Sequence, residues 1–276
     1  MRLFSTPLAL LVILLSSFSV MAQYPDAQVS DPNYPFYHGV ASGDALEDRV
    51  IIWTRVSAFD APDNIEVTYT LSADADMSTV ATTGTFTTDA DRDYTVKVDV
   101  TGLQADTWYY YQFEAEGGAS PIGRTRTLPT ALDNPSDFRF ALASCANYEG
   151  GYFNAYGDIA ARNDLDAVFQ VGDYIYEYGG GTYGSGVRTH LPNMEVITAD
   201  EYRARHSNYK LDQDLAAAHR QYPWYMSWDD HETVNNSYAT GAENHEPATE
   251  GDWIERRNAA LPVSYTHLTL PTTVIV

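Results

Sequence analysis

Two short segments, residues 172–178 and 228–232, carry the residue types best suited to binding metal ions. The first holds Asp173 and Tyr176, three residues apart, just after an apolar run that predicts a buried strand. If the intervening chain makes a helical turn, both side chains can face one cation. A phenolate together with a carboxylate favours a hard, highly charged ion. We therefore interpret this pair as part of a metal site.

The lone cysteine, Cys145, offers a third kind of donor. A thiolate donates strongly, and ferric iron suits a mixture of thiolate, phenolate and carboxylate better than magnesium does. The second segment offers Asp230 and His231, which would serve a second cation or the substrate. Two cations about 3.5–4 Å apart can hold the attacking and leaving oxygens of an in-line phosphoryl displacement, and a bridging carboxylate such as Asp173 sets that distance.

Each of these residues also has a simpler explanation. An aspartate after a strand is often a helix cap or a turn former, which would account for Asp173. Tyr176 is one of 21 tyrosines and would fit a core, and Cys145 would fit as a small buried hydrophobe. His231 lies between acids and would fit a surface salt bridge. The location of all these side chains at strand ends of one sheet favours a shared site.

The strands that would position this site follow a linker at residues 127–135. Strands are predicted at 138–143, 166–171 and 224–228, with a helix at 153–162 and one or two helices within 200–219. Such β-α-β units form parallel pairs with a right-handed crossover. Three consecutive strands then present Cys145, Asp173 and Asp230 at their carboxyl ends, where open α/β sheets bind ligands.

The residues before the linker follow a different pattern, which predicts a β-sandwich at 31–130. Alternating polar and apolar residues at short spacing indicate strands at 50–56, 65–71, 94–100 and 109–115. Tyr109 follows a Leu-Gln-Ala-Asp-Thr-Trp segment and is the candidate for a tyrosine corner, with its hydroxyl bonded to nearby backbone.

The composition limits the partners that this chain can have. Asp and Glu total 38 against 16 Lys and Arg, for a formal net charge of −22. Such a surface repels nucleic acid and anionic membranes, so we expect neither as a partner, and we expect a monomer. The acidity suits salt adaptation and oxygen-rich cation sites equally well. A single cysteine excludes an intramolecular disulfide.

The first 22 residues predict a secretory signal peptide. Arg2 is their only charge, residues 8–15 are apolar, and residues 20–22 provide the small residues of a cleavage site. A membrane anchor is the alternative, although the apolar run is short for a bilayer span. We therefore expect a secreted or periplasmic protein.

Several segments together resemble the alkaline phosphatase D family, secreted phosphomonoesterases and phosphodiesterases within the calcineurin-like metallophosphatases. The resemblance covers about residues 31–260 and is carried by residues 36–44, 52–55, 143–145, 172–178, 202–203, 209–210, 228–232 and 235–236. It implies a multi-domain α and β protein: an immunoglobulin- or fibronectin-like sandwich, then a metallophosphatase (αββα) domain at 136–260. It also implies hydrolysis of phosphate esters, with a metal-activated hydroxide attacking phosphorus.

The resemblance implies roles for individual residues as well. Cys145 and Tyr176 would bind Fe³⁺, Asp173 would bridge Fe³⁺ to Ca²⁺, and Asp230 would bind Ca²⁺. His231 would lie near the phosphoryl group and, with Asp230, belong to the catalytic residues. The remaining candidates, which would contact substrate or support the metal ligands, are Asp229, Asn236 and Arg203.

The carboxyl-terminal end departs from the family pattern. Members continue further and supply more ligands from a later Gly-Asp-x-His segment, which does not occur after Asn236. The helix predicted at 253–260 is expected to break at Leu261 and Pro262, and residues 261–276 read as an atypical, foreign segment or a divergent native tail. We therefore expect a truncated catalytic domain. The alternative function is an inactive fragment, or a non-catalytic sandwich module that binds cations or a surface partner.

Overall fold

A computed structural model describes residues 32–60, 62–133, 137–184 and 186–270. The predicted signal peptide lies outside these residues, as do the last six residues of the tail. The fold is mixed α/β with several sheets. Among the described residues, no helix combines the length and the apolar character needed to cross a bilayer.

The strands and helices fall into two groups along the chain. The first half contains β1 Val40–Gly43, β2 Arg49–Arg55, β3 Ile65–Ser72, β4 Val80–Thr88, β5 Thr95–Thr101, β6 Trp108–Ala115, β7 Gly118–Ala119 and β8 Gly123–Arg126. The second half contains β9 Phe140–Ala143, α1 Asn154–Ala161, β10 Ala167–Val171, α2 Ala199–Lys210, α3 Gln213–Gln221, β11 Pro223–Ser227, β12 Ser237–Tyr238, β13 Gly241–Ala242, α4 Pro247–Glu250 and α5 Trp253–His267.

The first half places strands in two sheets over one hydrophobic core. Strands β4, β3, β6 and β7 are neighbours in one sheet, with β8 also paired to β6, whereas β5, β2 and β1 belong to another. Apolar side chains from both sheets pack together, among them Ile52, Val67 and Phe113, all fully buried. The predicted tyrosine corner is present, because the hydroxyl of Tyr109 accepts a hydrogen bond from the backbone N–H of Gln104 at 2.9 Å.

One sheet joins the two halves of the chain. Its order is β5-β2-β1-β11-β10-β9, with β1 parallel to β11 and Gly43 opposite Trp224. A Cβ atom on Gly43 would lie 2.2 Å from the carbonyl oxygen of Trp224, so only glycine allows this close approach. The strands on either side of the predicted linker therefore form a continuous sheet.

The strands and helices after the linker agree with the predicted alternation. Strand β9 is parallel to β10, and β10 is parallel to β11. Helix α2 begins with a capping box, in which Thr198 and Glu201 each satisfy a backbone N–H of the first turn. Strands β9, β10 and β11 are thus neighbours whose carboxyl ends lie at one sheet edge.

The predicted helix break at residues 261 and 262 is wrong, because α5 continues through Pro262 to His267. A proline removes one helical hydrogen bond, but tertiary contacts compensate for that loss here. The indole N–H of Trp53 donates to the carbonyl of Thr266 at 2.7 Å, and Lys97 Nζ donates to the carbonyl of Tyr265 at 2.8 Å. These bonds occupy carbonyl groups of the last turn, which would otherwise lack partners.

Candidate metal centre

The carboxyl ends of β9, β10 and β11 bring the predicted ligands together. One oxygen each of Asp173 and Asp230 and one ring nitrogen of His231 all lie within 4.8 Å of one another. The thiol of Cys145 and the phenol of Tyr176 both lie 3.4 Å from Oδ2 of Asp173. Asp173 therefore occupies the middle of this five-residue group, which we call the metal cluster.

The backbone at two of these strand ends adopts an uncommon conformation. Asp173 and Cys145 both have φ of 54°, in the left-handed region. Residues 174 and 175 form bends, so the helical turn considered as one way to bring Asp173 and Tyr176 together is absent from this described segment. Tyr176 nevertheless reaches Asp173, because the adjacent Tyr174 and Ile175 are fully buried and fix the path of the loop. Strained residues of this kind concentrate at functional sites.

A buried carboxylate ties the loop after β10 to the loop after β11. Glu232 accepts hydrogen bonds from the backbone N–H groups of Asp173 at 3.1 Å and Asp229 at 2.8 Å, and also from that of Tyr174. Burial raises the pKa of Glu232 to about 7, although the three N–H donors act in the opposite direction. Glu232 thus sets the spacing between the two ligand-bearing loops.

A second buried carboxylate orients His231. Nδ1 of His231 lies 2.6 Å from Oε2 of Glu177, while Oε1 of Glu177 accepts from the backbone N–H of Asn235 at 2.7 Å. Burial alone would lower the pKa of His231, but the carboxylates of Glu177, Asp173 and Asp230 together outweigh it, and the pKa is raised. The imidazole also stacks on the ring of Tyr176, with 4.1 Å between centroids. Glu177 and Tyr176 therefore both hold the imidazole ring, and the bond to Glu177 uses Nδ1 and not Nε2.

The cluster fits a bound cation. Oδ1 of Asp173 is buried and has no hydrogen-bond partner among the described residues, although Oδ2 has two. Burial raises the pKa of Asp173 and that of Tyr176, since neither charged form is compensated by the protein alone. A cation would supply that compensation, and the donor set of carboxylate, imidazole, thiol and phenol is one that metal ions bind.

The remaining predicted residues divide between the cluster and other places. Asp229 and Asn236 flank it: Oδ1 of Asp229 accepts from the N–H of Asp230 at 3.0 Å, and the N–H of Asn236 donates to the Asp230 carboxylate. The side-chain amide of Asn236 donates to Glu243 instead. The structure does not bring Arg203 to the cluster.

The guanidinium of Arg203 is bonded to other groups. Its guanidinium donates to Asp200 at 3.1 Å, one turn away on the exposed face of α2, and to the carbonyl of Asp91 at 2.6 Å. A phosphate contact from Arg203 is therefore not supported. Arg205 is the arginine on α2 that supports the site, since its fully buried guanidinium donates to the carbonyl of Tyr176.

Sequence reasoning missed the positioning roles of Glu177, Glu232 and Arg205. Glu177 directly follows Tyr176, a predicted ligand, and Glu232 directly follows His231. Acids next to ligand residues were a usable signal, because groups that bind metals are commonly oriented by further carboxylates. Burial, which separates such acids from solvated ones, becomes visible only in the structure.

Two family profiles match this chain over most of its length. The PhoD-like phosphatase profile matches residues 140–271, and the profile of the PhoD-like phosphatase N-terminal domain matches residues 22–129. The chain belongs to the PhoD-like phosphatase family. The first match includes residues 261–271, where the sequence had suggested an atypical segment.

Similar proteins agree with this assignment. The chain is 39% identical over 265 residues to alkaline phosphatase D of Bacillus subtilis (strain 168), covering 91% of this chain and 44% of that protein. A solved structure of PhoD superimposes with a TM-score of 0.81 at 38% identity, covering 89% of this chain and 48% of the other. The chain thus spans less than half the length of these relatives.

Proposed function

We propose that this protein hydrolyses phosphate esters as an alkaline phosphatase or phosphodiesterase, using metal ions held by the metal cluster. The observation that carries the proposal is the convergence of Asp173, Asp230 and His231 within 4.8 Å, with Cys145 and Tyr176 against the central carboxylate. The membership of the PhoD-like phosphatase family supports the same reaction.

We further propose Fe³⁺ and Ca²⁺ as the cations. Cys145 and Tyr176 would hold Fe³⁺, Asp173 would bridge, and Asp230 would bind Ca²⁺. When bound, such cations lower the pKa of water and stabilise charge on phosphoryl oxygens. The shared position of Cys145 and Tyr176 beside one oxygen of Asp173 supports this division of ligands.

His231 would act on the substrate itself. Its Nδ1 faces Glu177, so a proton on Nδ1 is held by the carboxylate and Nε2 remains for the substrate. A protonated Nε2 would donate to the leaving oxygen or stabilise negative charge on the phosphoryl group. The raised pKa of His231 favours that protonated form.

The architecture that we propose has two parts. The first is an immunoglobulin- or fibronectin-like sandwich at 31–130, and the second is part of a metallophosphatase domain at 136–260, followed by the segment 261–276. The tyrosine corner at Tyr109 and the parallel strands that carry the cluster support these parts.

The proposed setting is outside the cytoplasm, as a secreted or periplasmic monomer with phosphate esters as substrates. The apolar stretch within residues 1–22 supports export. A net charge of −22 supports a monomer that binds neither nucleic acid nor anionic membranes, because copies of the chain repel one another and other anions.

The 276-residue chain alone is proposed to turn over slowly or not at all, since it spans 44% of its Bacillus relative. This is the inactive-fragment alternative of the sequence analysis. A chimera that restores the remaining length distinguishes an incomplete protein from a cluster that has no catalytic role. The remainder of the Bacillus protein would be joined after residue 271, where the family match ends. We expect the chimera, and not the chain alone, to release nitrophenol from bis(4-nitrophenyl) phosphate at alkaline pH with Fe³⁺ and Ca²⁺.

Two variants of the chimera identify the residues responsible. Asp173→Ala is expected to abolish nitrophenol release, whereas Asp76→Ala, at an exposed turn after β3, is the matched control and should retain it. A chimera that is fully active with Asp173→Ala would overturn the proposal. An active 276-residue chain would overturn only the statement about the fragment.

A further inference from the structure

A pocket of about 240 Å³ adjoins the metal cluster and has no role in the proposed chemistry. Its wall includes Trp228, Asp229 and Thr233, which flank the cluster residues Asp230 and His231 in sequence. Thr233 Oγ1 also donates to the backbone carbonyl of Asp230 at 3.0 Å. The lining residue Glu232 also accepts from the backbone N–H of Asp173, so the pocket and the cluster share one stretch of backbone and one hydrogen bond.

Part of the pocket lining is apolar and aromatic. Trp253, at the start of α5, lines the pocket together with Trp228, Tyr238 and Leu261. Aromatic walls of this kind bind planar rings through stacking and edge contacts. The volume is below the range of about 300–1,000 Å³ that is usual for drug-sized ligands and suits a single ring.

Two hydrogen-bond donors in the pocket wall are without acceptors. The indole N–H of Trp228 and the Nε–H of Arg257 are buried and have no partner among the described residues. The rest of the Arg257 guanidinium makes a single long contact, 3.5 Å from NH1 to the carbonyl of Ala239. Buried donors are usually satisfied, so a ligand with an acceptor is the expected partner.

The acids of the pocket do not satisfy these donors. Oε2 of Glu232 accepts from the backbone N–H groups of Asp173 and Asp229, and Oδ1 of Asp229 accepts from the N–H of Asp230. At alkaline pH both acids are charged, and their negative charge, which Arg257 offsets only in part, disfavours an anionic ligand group in the pocket. A neutral ring that carries an acceptor fits both the donors and the acids.

We propose that Trp228, Trp253 and Arg257 form a subsite for the organic group of the phosphate ester, selecting a neutral planar aromatic ring with a hydrogen-bond acceptor. This rests on the proposed function, because the cluster places the phosphoryl group beside the pocket. The subsite sets the substrate class as aryl or heteroaryl phosphate esters.

The test uses the full 276-residue chain with Fe³⁺ and Ca²⁺, and three probes that it cannot hydrolyse. The probes are 4-nitrobenzylphosphonate, methylphosphonate and 4-nitrobenzyl alcohol, which carry both groups, the anion alone and the ring alone. Binding is measured by calorimetry. We expect the nitrobenzylphosphonate to bind at least tenfold more tightly than methylphosphonate.

Arg257→Gln is expected to weaken binding of both ring-containing probes about tenfold, the effect of losing a hydrogen bond from a charged donor. Trp228→Phe, which keeps a ring and removes the N–H, should weaken them severalfold. Neither variant should change methylphosphonate affinity or the thermal midpoint, which excludes unfolding as the cause. Arg49→Gln, at an exposed position at the start of β2, is the charge-matched control and should leave all three probes unchanged.

The probes separate failure of the subsite from failure of the proposed function. The subsite would be overturned by equal affinities for the two phosphonates. It would also be overturned if Arg257→Gln left the affinity for the ring-containing probes unchanged. Both results hold whether or not the cluster binds phosphonate. Asp173→Ala should abolish methylphosphonate binding and retain 4-nitrobenzyl alcohol binding. A third result is that Arg257→Gln weakens binding of the alcohol while Asp173→Ala leaves the methylphosphonate affinity unchanged. In that case the pocket binds the ring as proposed, and the proposed phosphoryl site is wrong.

Discussion

Nδ1 of His231 lies 2.6 Å from Oε2 of Glu177, a carboxylate with no exposed surface. The second oxygen of Glu177 is already bonded to the N–H of Asn235, so the carboxylate cannot turn away. This arrangement fixes the imidazole with the proton on Nδ1 and leaves Nε2 without a bond to Glu177, as the proposed role of His231 requires. A surface salt bridge, the simpler explanation for His231, does not describe this buried pair.

Glu177→Gln is expected to reverse the tautomer of His231. The amide oxygen would retain the bond to the N–H of Asn235, which turns the NH₂ group toward Nδ1, so Nδ1 becomes an acceptor and the proton moves to Nε2. Nitrogen-15 spectra of the neutral imidazole in the metal-free chain would show a protonated Nδ1 in the parent and a protonated Nε2 in the variant. Glu66→Gln, exposed on β3, is the control, and averaged shifts in the parent would contradict a fixed tautomer.

Glu232→Gln is expected to destabilise the protein and loosen the cluster. A glutamine offers one acceptor oxygen and turns an NH₂ group toward backbone donors, so at least one of three N–H groups is left unsatisfied. The expected loss is about 1–3 kcal/mol in the free energy of unfolding, measured in urea. Weaker Ca²⁺ binding should accompany it, and an unchanged unfolding midpoint would show that Glu232 does not tie the loops together.

Lys210 is expected to make stability depend on pH. Its ammonium group is buried over the ring of Trp53, and burial lowers its pKa to about 7. The unfolded chain has a normal lysine pKa of about 10.4 and so holds more protons between about pH 7 and pH 10. Stability should therefore rise with pH across that window through this group, and the cost of burying the charge is fully present below about pH 7.

The two lysines of the chain provide a matched pair for this prediction. Lys210→Met should remove the rise that begins near pH 7, whereas Lys97→Met should remove a smaller rise that begins near pH 8, the lowered pKa of that less buried group. Urea unfolding of both variants and the parent from about pH 6 to pH 10 measures the difference. Parallel curves for Lys210→Met and the parent would contradict a buried lysine that loses its proton near neutral pH.

Local patterns in the sequence were sufficient to predict the cluster. Each of Cys145, Asp173 and Asp230 follows an apolar run, and the alternation of strands and helices predicts that those runs are parallel neighbours. The placement then depends on strand order alone, which the right-handed β-α-β rule restricts strongly.

Features that depend on contacts between distant parts of the chain could not be predicted from local sequence patterns. The pairing of β1 with β11 joins residues far apart in the chain, such as Ser42 and Pro223, and no local pattern specifies it. The continuation of α5 past Pro262 depends on donors from Trp53 and Lys97, which lie on distant strands. Arg203 and Arg205 are indistinguishable as helix arginines, and only burial shows which of them supports the site.

The assignment of Cys145, Asp173 and Tyr176 to the iron half of the metal cluster can be tested directly by visible absorption of the Fe³⁺-loaded chain. A tyrosinate bound to Fe³⁺ gives a visible charge-transfer band. We predict that resonance Raman excitation in this band enhances tyrosinate ring vibrations, which Tyr176→Phe removes even where a thiolate-to-iron band from Cys145 remains. Tyr183→Phe, which removes the phenol that stacks on Tyr176 at 5.9 Å, should retain them. A colourless Fe³⁺-loaded chain, or tyrosinate vibrations that survive Tyr176→Phe, would contradict the assignment.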